Sequence, residues 1–560
     1  MKEELRNLIL GVLKRLAIEA GEFVVEHPAD LSHGDYSTNV AMAVAKAQKS
    51  NPRLLAEKIV AELQKEFPRN IEKIEIAGPG FINFHLSKDF FASAISEILK
   101  EGEVFGKNKI FAGRKVMCEY TQPNPFKILH IGHMMNNMVG EAISRIIQAS
   151  GAEVKRATYH GDVGLHVAKT IWGFQKMGGE MSVETLGKAY AFGTNAYEDD
   201  ETAKKEITDL NKIIYEKSDE KISELYEKGK KISLEHFAEI YKKLGSAFDF
   251  HFFESESGPL GKEIVLANVG KVFEKSDGAI IFHGEKYDPS LHTRVFINKE
   301  GLPTYEAKDL GLVEVKLKKY HFDLSLTLTA MEQTEYFRVV KKAMELVFPE
   351  YAGKIRHVPH GHLKLPTGKM SSRTGDVIGA EILLRDVEKL VLEKIADRSM
   401  TEAEKEKVAE QVAIGAIKYS ILRQSPGKDV IFDFDKSLSF EGDSGPYLQY
   451  SAVRAHSVLL KAELAGVTPS SVNTSQAVSD VEKMLYRFPE IVELALKEYS
   501  PQYISTYLME LAGAFNSYYG NTKIIDIDAG ASYRVALTSA FRIVLTNGLT
   551  LLGISVPQKM

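Results

Sequence analysis

Cysteine is nearly absent: Cys118 is the only one in 560 residues. One thiol cannot close an internal disulfide, and it cannot furnish a zinc site that needs two or more thiolates. Tryptophan is equally rare; Trp172 stands alone and reads as packing. Long apolar runs are missing too. The most apolar stretches, such as Ile543 to Val556, fall well short of the roughly 18–20 uncharged residues of a membrane span. Neither charge sign dominates, with 71 Lys plus Arg against 76 Asp plus Glu and a formal net charge of −5. A global basic footprint for nucleic acid is therefore lacking, although a local patch suffices for RNA. The N-terminus carries no apolar leader: Leu5, Leu8, Ile9, Val12, Leu13 and Leu16 recur at helical spacing opposite charged residues, as on an amphipathic surface helix. These absences point to a reducing cytoplasm and no membrane partner.

What remains is ordinary globular text. Hydrophobic residues at 44% and charged residues at 26% exclude disorder, collagen and coiled-coil rods. The pattern divides in three. Residues 1–107 read as an α+β unit, in which helices at about 38–49 and after Pro52 precede two short strands around Gly78-Pro79-Gly80. Residues 108–405 alternate strand and helix: a strand at 115–120, a helix at about 132–150 and a strand at 154–159 make a βαβ start, which implies a doubly wound parallel sheet. A charged helical insertion interrupts it at about 180–245. Further strands are predicted at 322–329 and 355–365, with a helix opening at about Tyr305 between the insertion and the first of them. Residues 406–560 are nearly all helical, rich in tyrosine and not basic.

Chemistry concentrates at two places. His130-Ile131-Gly132-His133 follows the first strand and opens a helix. A helix start offers unpaired backbone N–H groups and a positive dipole end, which suit phosphate. Two imidazoles add donors, and Gly132 leaves room for a nucleotide base. The second place is Lys369-Met370-Ser371-Ser372-Arg373, after the last strand. A mobile cationic loop there can close on a triphosphate and neutralise charge as pyrophosphate leaves. Tyr305 and Asp309, at i and i+4, share one helix face and offer a phenolic oxygen and a carboxylate. His357, His360 and His362 show no clear third ligand beside the same-face pair His360 and His362, and read as structural.

Taken together, these motifs resemble the HIGH and KMSKS signatures of class I aminoacyl-tRNA synthetases, and within them the arginyl-tRNA synthetase family. Glu119 to Asn124, followed by Lys127 and His130, resembles that family's extended first motif. Tyr305 to Asp309 resembles its arginine-binding helix, and Gln333 stands where the family has a substrate-binding glutamine. His33 to Asn39 and Ala77 to Asn83 resemble its N-terminal extra domain. Tyr447-Leu448-Gln449-Tyr450 and Gly548 to Ile554 resemble its helical anticodon-binding domain.

The resemblance implies a Rossmann-like catalytic core between an N-terminal α+β domain that contacts tRNA and an all-helical C-terminal domain that binds the anticodon. The implied activity is an arginine-tRNA ligase that forms arginyl-adenylate from ATP and L-arginine, with Mg2+ on the phosphates and no resident metal or zinc. The arginyl group then passes to the terminal ribose of tRNA(Arg). A monomer is expected, and adenylation is expected to require tRNA. Catalytic roles fall to His130, His133, Lys127, Lys369 and Arg373. ATP contacts fall to His130, Gly132, His133, Lys369, Met370, Ser371 and Ser372. Arginine contacts fall to Glu119, Thr121, Asn124, His130, Tyr305, Asp309 and Gln333, and tRNA contacts to Tyr447 and Tyr450.

A guanidinium is planar, always charged and carries five donors, so its site needs a carboxylate and further acceptors. Glu119 reads equally as a substrate contact or as a structural acid holding a neighbouring arginine. One departure stands out: Ser372 occupies the place of the usual second lysine, and the resemblance implies that Lys127 compensates. Three rivals stay open on sequence alone. They are a class I enzyme for lysine, a small-molecule nucleotidyltransferase, and a synthetase-like RNA-binding protein.

Overall fold

The computed structural model describes residues 1–66, 68–366, 378–472, 477–526 and 528–560. It divides into two compact units. The first gathers Met1–Gly106, Ser451–Ile491 and Tyr507–Asn547; the second gathers Lys107–Tyr450, Val492–Thr506 and Gly548–Met560.

In the first unit, Val25–Glu26, Tyr36–Thr38, Ile71–Ala77 and Phe81–Leu86 form an antiparallel sheet in which the last two are neighbours. Helix Lys2–Arg15 buries Leu5, Ile9, Val12 and Leu13 against it, the stripe that the spacing predicts. The second helix is shorter than predicted, Val40–Ala45: residues 46–49 turn, with Lys49 at φ +48°, before Asn51 caps and Pro52 starts the next helix. Gly34 lies at φ +101°, and a Cβ there would sit 2.8 Å from the Phe84 carbonyl, so only glycine fits the turn. The sheet is closed by the far end of the chain. The Tyr36 hydroxyl donates to Glu490 at 2.6 Å, and the Tyr486 ring stands edge-on to Phe90 and Phe91.

In the second unit, five strands form a parallel sheet. They are β1 (Lys115–Glu119), β2 (Glu153–His160), β3 (Phe250–Phe253), β4 (Leu324–Ala330) and β5 (Ile355–His360), in spatial order β5-β4-β1-β2-β3. Every pairing is parallel. The chain thus leaves β1 first toward β2 and β3, then returns to its other side for β4 and β5. The gap between the carboxyl ends of β1 and β4 is the topological switch point, where open sheets of this kind bind ligands. Helix α1, Ile131–Ala149, leads from β1 to β2.

Helices Val183–Asp199, Glu201–Glu216 and Glu220–Lys243 fill the stretch read as an insertion. Many of their charges face outward, while Ile207, Leu210, Ile214 and Ile222 enter a core shared with Phe126, Val167 and Ile171. Asp162, buried just past β2, accepts hydrogen bonds from Tyr226, Lys230 and Ser255, which ties the third of these helices to the sheet.

Strand β5 stops at His360, short of the predicted 365. Leu363–Lys364 leaves the sheet and pairs with Val430–Ile431. Gly361 allows the switch, since a Cβ there would lie 2.0 Å from the Lys428 carbonyl. Helix α1 lies equally close over the end of β1, where a Cβ on Gly140 would fall 2.3 Å from the Tyr120 ring. Gly140→Ala should therefore destabilise the protein by about 1–3 kcal/mol, the usual cost of overpacking. An unchanged urea midpoint would contradict that close approach.

Candidate active site

The chain leaves β1 in a strained conformation. Thr121 and Gln122 sit at φ 78° and 52°, and a β-branched threonine rarely enters that region. Helix α1 holds them there. Asn136 accepts from the Thr121 amide at 2.8 Å and donates to the Leu328 carbonyl at 2.9 Å, so one side chain spans the β1–β4 switch point. Asn137 donates to the Thr121 hydroxyl at 3.0 Å. Asn124 accepts from the Gly161 amide at 3.1 Å, which ties the loop to the end of β2. Asn136 and Asn137 are absent from the sequence-derived site. Their signal was two buried amides inside the apolar run from Met134 to Met138.

His130 and His133 form the start of α1 themselves. The Nδ1 of His130 accepts from the amides of Gly132 and His133, at 3.1 and 3.4 Å. The Nδ1 of His133 accepts from the His130 amide at 3.3 Å. This is a reciprocal capping box made of two imidazoles. A ring that accepts at Nδ1 must be neutral there, so its proton sits on Nε2. The rings stack 3.6 Å apart, and burial holds both pKa values below the usual histidine range, that of His133 far below. The pair therefore presents Nε2–H donors at a helix start. Gly132 keeps the cap compact, since a Cβ there would lie 2.9 Å from the His130 ring.

These residues line a cavity of about 560 Å³ together with Glu119, Asp309, Glu254, Tyr305, Gln333 and Tyr336. Its carboxylates differ in their neighbours. Glu119 pairs with Lys316 at 2.6 Å and Glu254 with Lys308 at 2.6 Å. Glu306 lies 3.5 Å from Arg294, and Glu332 lies 3.0 Å from His362. Asp309 alone, among the described residues lining the cavity, has only a phenol: it accepts from Tyr336 at 2.7 Å. Burial, reinforced by Glu119 and Glu254, pushes its pKa up to about 7. Tyr305, on the same helix, is 68% exposed at the rim, so the phenol that serves Asp309 is Tyr336 instead. Glu119 is held by Lys316 and by the Gln122 amide, at 2.7 Å.

The structure thus brings Glu119, Thr121, Asn124, His130, Gly132, His133, Tyr305, Asp309 and Gln333 to one cavity. Lys127 faces a neighbouring cavity of about 770 Å³, its ammonium 5.0 Å from the centre of the Tyr190 ring. Tyr305 and Glu254 line both. Lys369, Met370, Ser371, Ser372 and Arg373 lie outside the described residues. Tyr447 and Tyr450 are half-buried in the first turns of helix Gly445–Leu464. Most other C-terminal tyrosines, among them Tyr486, Tyr507 and Tyr533, are buried. His357 stacks on Phe337, His360 bonds to the Gly361 carbonyl, and His362 lies between Glu332 and Asp429.

Comparison with known proteins covers nearly the whole chain. The family model for tRNA synthetases class I (R), catalytic domain, matches residues 94–434. The arginyl tRNA synthetase N terminal domain matches residues 3–86, and the DALR anticodon binding domain matches residues 448–560. The arginine–tRNA ligase of Treponema denticola is 31% identical, over 96% of this chain and 94% of its own. That of Clostridium perfringens is 30% identical, over 97% of each. The arginyl-tRNA synthetase of Thermus thermophilus has the same fold, with a TM-score of 0.83 at 24% identity over the full length of both chains.

Proposed function

Because this chain belongs to the arginyl-tRNA synthetase family, and so charges tRNA(Arg) with arginine at the expense of ATP, we propose that the cavity beyond β1 and β4 is where arginyl-adenylate forms, with Asp309 taking the guanidinium. The observation that carries this reading is that Asp309, among the described residues, has a phenol as its hydrogen-bond partner and no ion pair, since Lys316, whose charge acts on it, is paired with Glu119. A buried carboxylate with a raised pKa is stabilised when a permanent cation arrives. Asn124 spends its side-chain oxygen on Gly161 and so offers N–H donors, which suit the substrate carboxylate; Gln333 faces the same end of the substrate. Glu119, neutralised by Lys316, shapes the floor together with Thr121, and Tyr305 covers the mouth.

The arginine carboxylate attacks the α-phosphorus of ATP, and pyrophosphate leaves with the magnesium that entered on the nucleotide. The Nε2–H groups of His130 and His133 donate to α-phosphate oxygens as charge grows there, while Gly132 leaves space for the base. Such steps need positioning and charge stabilisation more than a strong base. Lys369 and Arg373, with Met370, Ser371 and Ser372 in the same motif, act on the leaving phosphates. The terminal ribose of tRNA(Arg) then takes the arginyl group.

In this reading residues 1–107 contact tRNA, 108–405 catalyse, and 406–560 bind the anticodon with help from Tyr447 and Tyr450. The enzyme works as a monomer in the cytoplasm. Calorimetry with L-citrulline, which replaces the guanidinium by a neutral ureido group, tests the Asp309 reading. It should bind about 10- to 100-fold more weakly than L-arginine, the worth of a charge-assisted hydrogen bond. Equal affinities would sink the assignment.

The phosphate end makes a separate prediction. Ser372 leaves the second motif one lysine short, and Lys127 stands three residues before His130. Lys127→Ala should lower the rate of pyrophosphate exchange at least as much as Arg373→Ala, and Ser372→Lys should partly restore it. A silent Lys127→Ala beside an inactive Arg373→Ala would hand the role to Arg373.

A further inference from the structure

The two sequence signatures at the C-terminal end, Tyr447 to Tyr450 and Gly548 to Ile554, find a use inside the catalytic unit. Two helices end at one point there. Glu220–Lys243 finishes with Gly245 at φ +68°, and the Ser246 amide reaches back to the Tyr241 carbonyl at 2.9 Å. Ala531–Leu551 finishes with Gly553 at φ +67°, and the Ile554 amide reaches back to the Leu549 carbonyl at 2.8 Å. Both are left-handed glycine caps, which leave further carbonyls without intrahelical partners. Each helix end also carries roughly half a negative charge.

Two basic side chains collect these carbonyls. Lys418, 1% exposed, donates to the Leu244 carbonyl at 2.8 Å and to the Gly553 carbonyl. Arg145, on helix α1, donates to the Gly245 carbonyl at 2.9 Å and the Thr550 carbonyl at 3.2 Å. The fit is close: a Cβ on Gly553 would lie 2.9 Å from the Lys418 ammonium and 3.5 Å from the Arg145 guanidinium. Arg145 also holds Glu141 at 2.7 Å, and Glu141 takes the Tyr120 hydroxyl at 2.6 Å. Tyr120 lies between Glu119 and Thr121. Farther along, the Gln449 amide donates to the Ser555 carbonyl at 2.8 Å, and Lys559 pairs with Glu404 at 2.7 Å.

We propose that the segment Gly548–Met560 is a strap that positions the catalytic helix, with Arg145 and Lys418 as the positioning residues that fasten it. Helix α1 is one rigid rod, and His130 caps it about 22 Å from Arg145 at 1.5 Å per residue. A small tilt at the Arg145 end moves the imidazoles at the other. Displacements of about 1 Å at a reacting group cost up to about 100-fold in rate.

Lys418→Met keeps an unbranched apolar stem and removes both hydrogen bonds. It should lower kcat for adenylate formation about tenfold, with the KM values for arginine and ATP within about twofold. Arg145→Lys, which cannot span both carbonyls, should act in the same direction and serves if Lys418→Met folds poorly. In a His130→Ala, His133→Ala background, either change should lose most of its effect, because both imidazoles that the helix carries are gone. An unchanged kcat per folded molecule overturns the proposal, and so does the same fold-loss in both backgrounds. The cycle rests on the phosphate role of His130 and His133, and the rates of His130→Ala and His133→Ala by themselves test that role separately.

Discussion

His130→Ala and His133→Ala should each lower the rate of adenylate formation about 100- to 1,000-fold, the usual loss when one donor to a developing oxyanion is removed. Arginine binding should stay near normal, because neither Nε2–H touches the guanidinium end. The capping box gives the test a control. His130 also accepts two backbone hydrogen bonds at the helix start, and losing a cap costs about 1 kcal/mol of stability. His130→Asn keeps a cap acceptor and lacks the distal donor. It should restore Tm but not the rate. If His130→Asn restored both, capping alone would explain the histidine; if both alanine variants turned over normally, the phosphate role would be wrong.

Asp309→Asn should raise the KM for arginine about 10- to 150-fold, the equivalent of a charge-assisted bond worth about 1.5–3 kcal/mol. The KM for ATP should hardly move. The pH dependence follows from the same group. Its pKa is raised to about 7 in the free enzyme, so below pH 7 it is largely protonated and poorly disposed to a cation. The kcat/KM for arginine should climb as pH rises through 7 and then level, since that ratio reports the free enzyme. In Asp309→Asn this limb should vanish. Stability runs the opposite way. A carboxyl whose folded pKa exceeds its unfolded value favours folding at low pH, and that contribution is lost as pH rises from about 4 through 7. The asparagine variant should therefore unfold at a higher temperature than the parent at pH 8. A variant with normal arginine KM and an unchanged pH limb would remove Asp309 from the substrate.

Much of this site was legible because its parts are local. The histidine motif, the strand before it and the helix after it lie within about 35 residues, and spacing alone places them at the end of a parallel strand. The charged insertion was equally plain, since its helices carry their own apolar stripes. What escaped were pairings set by distant segments. Asp309 was legible as an acid, but its phenol comes from Tyr336 on the next helix, while Tyr305, the neighbour that helical spacing suggested, stands at the rim. Glu119 left two readings open, and Lys316, which holds it at 2.6 Å, lies nearly two hundred residues away. The asparagines that hold the strained turn were visible as misplaced amides but had no addressee until β4 came alongside.

The closing of the N-terminal sheet by Tyr486 and Glu490 has a consequence for synthesis on the ribosome. The chain emerges from its N-terminus, so the face formed by Tyr36, Phe90 and Phe91 is made early and its cover arrives about 395 residues after Phe91. At about 5–20 residues per second that delay is roughly 20–80 s. Meanwhile the stretch Lys107–Tyr450 of the second unit is made and can begin to fold. The first segment to leave the ribosome is thus among the last to be finished, and through that interval its aromatic face is open to whatever binds nascent chains.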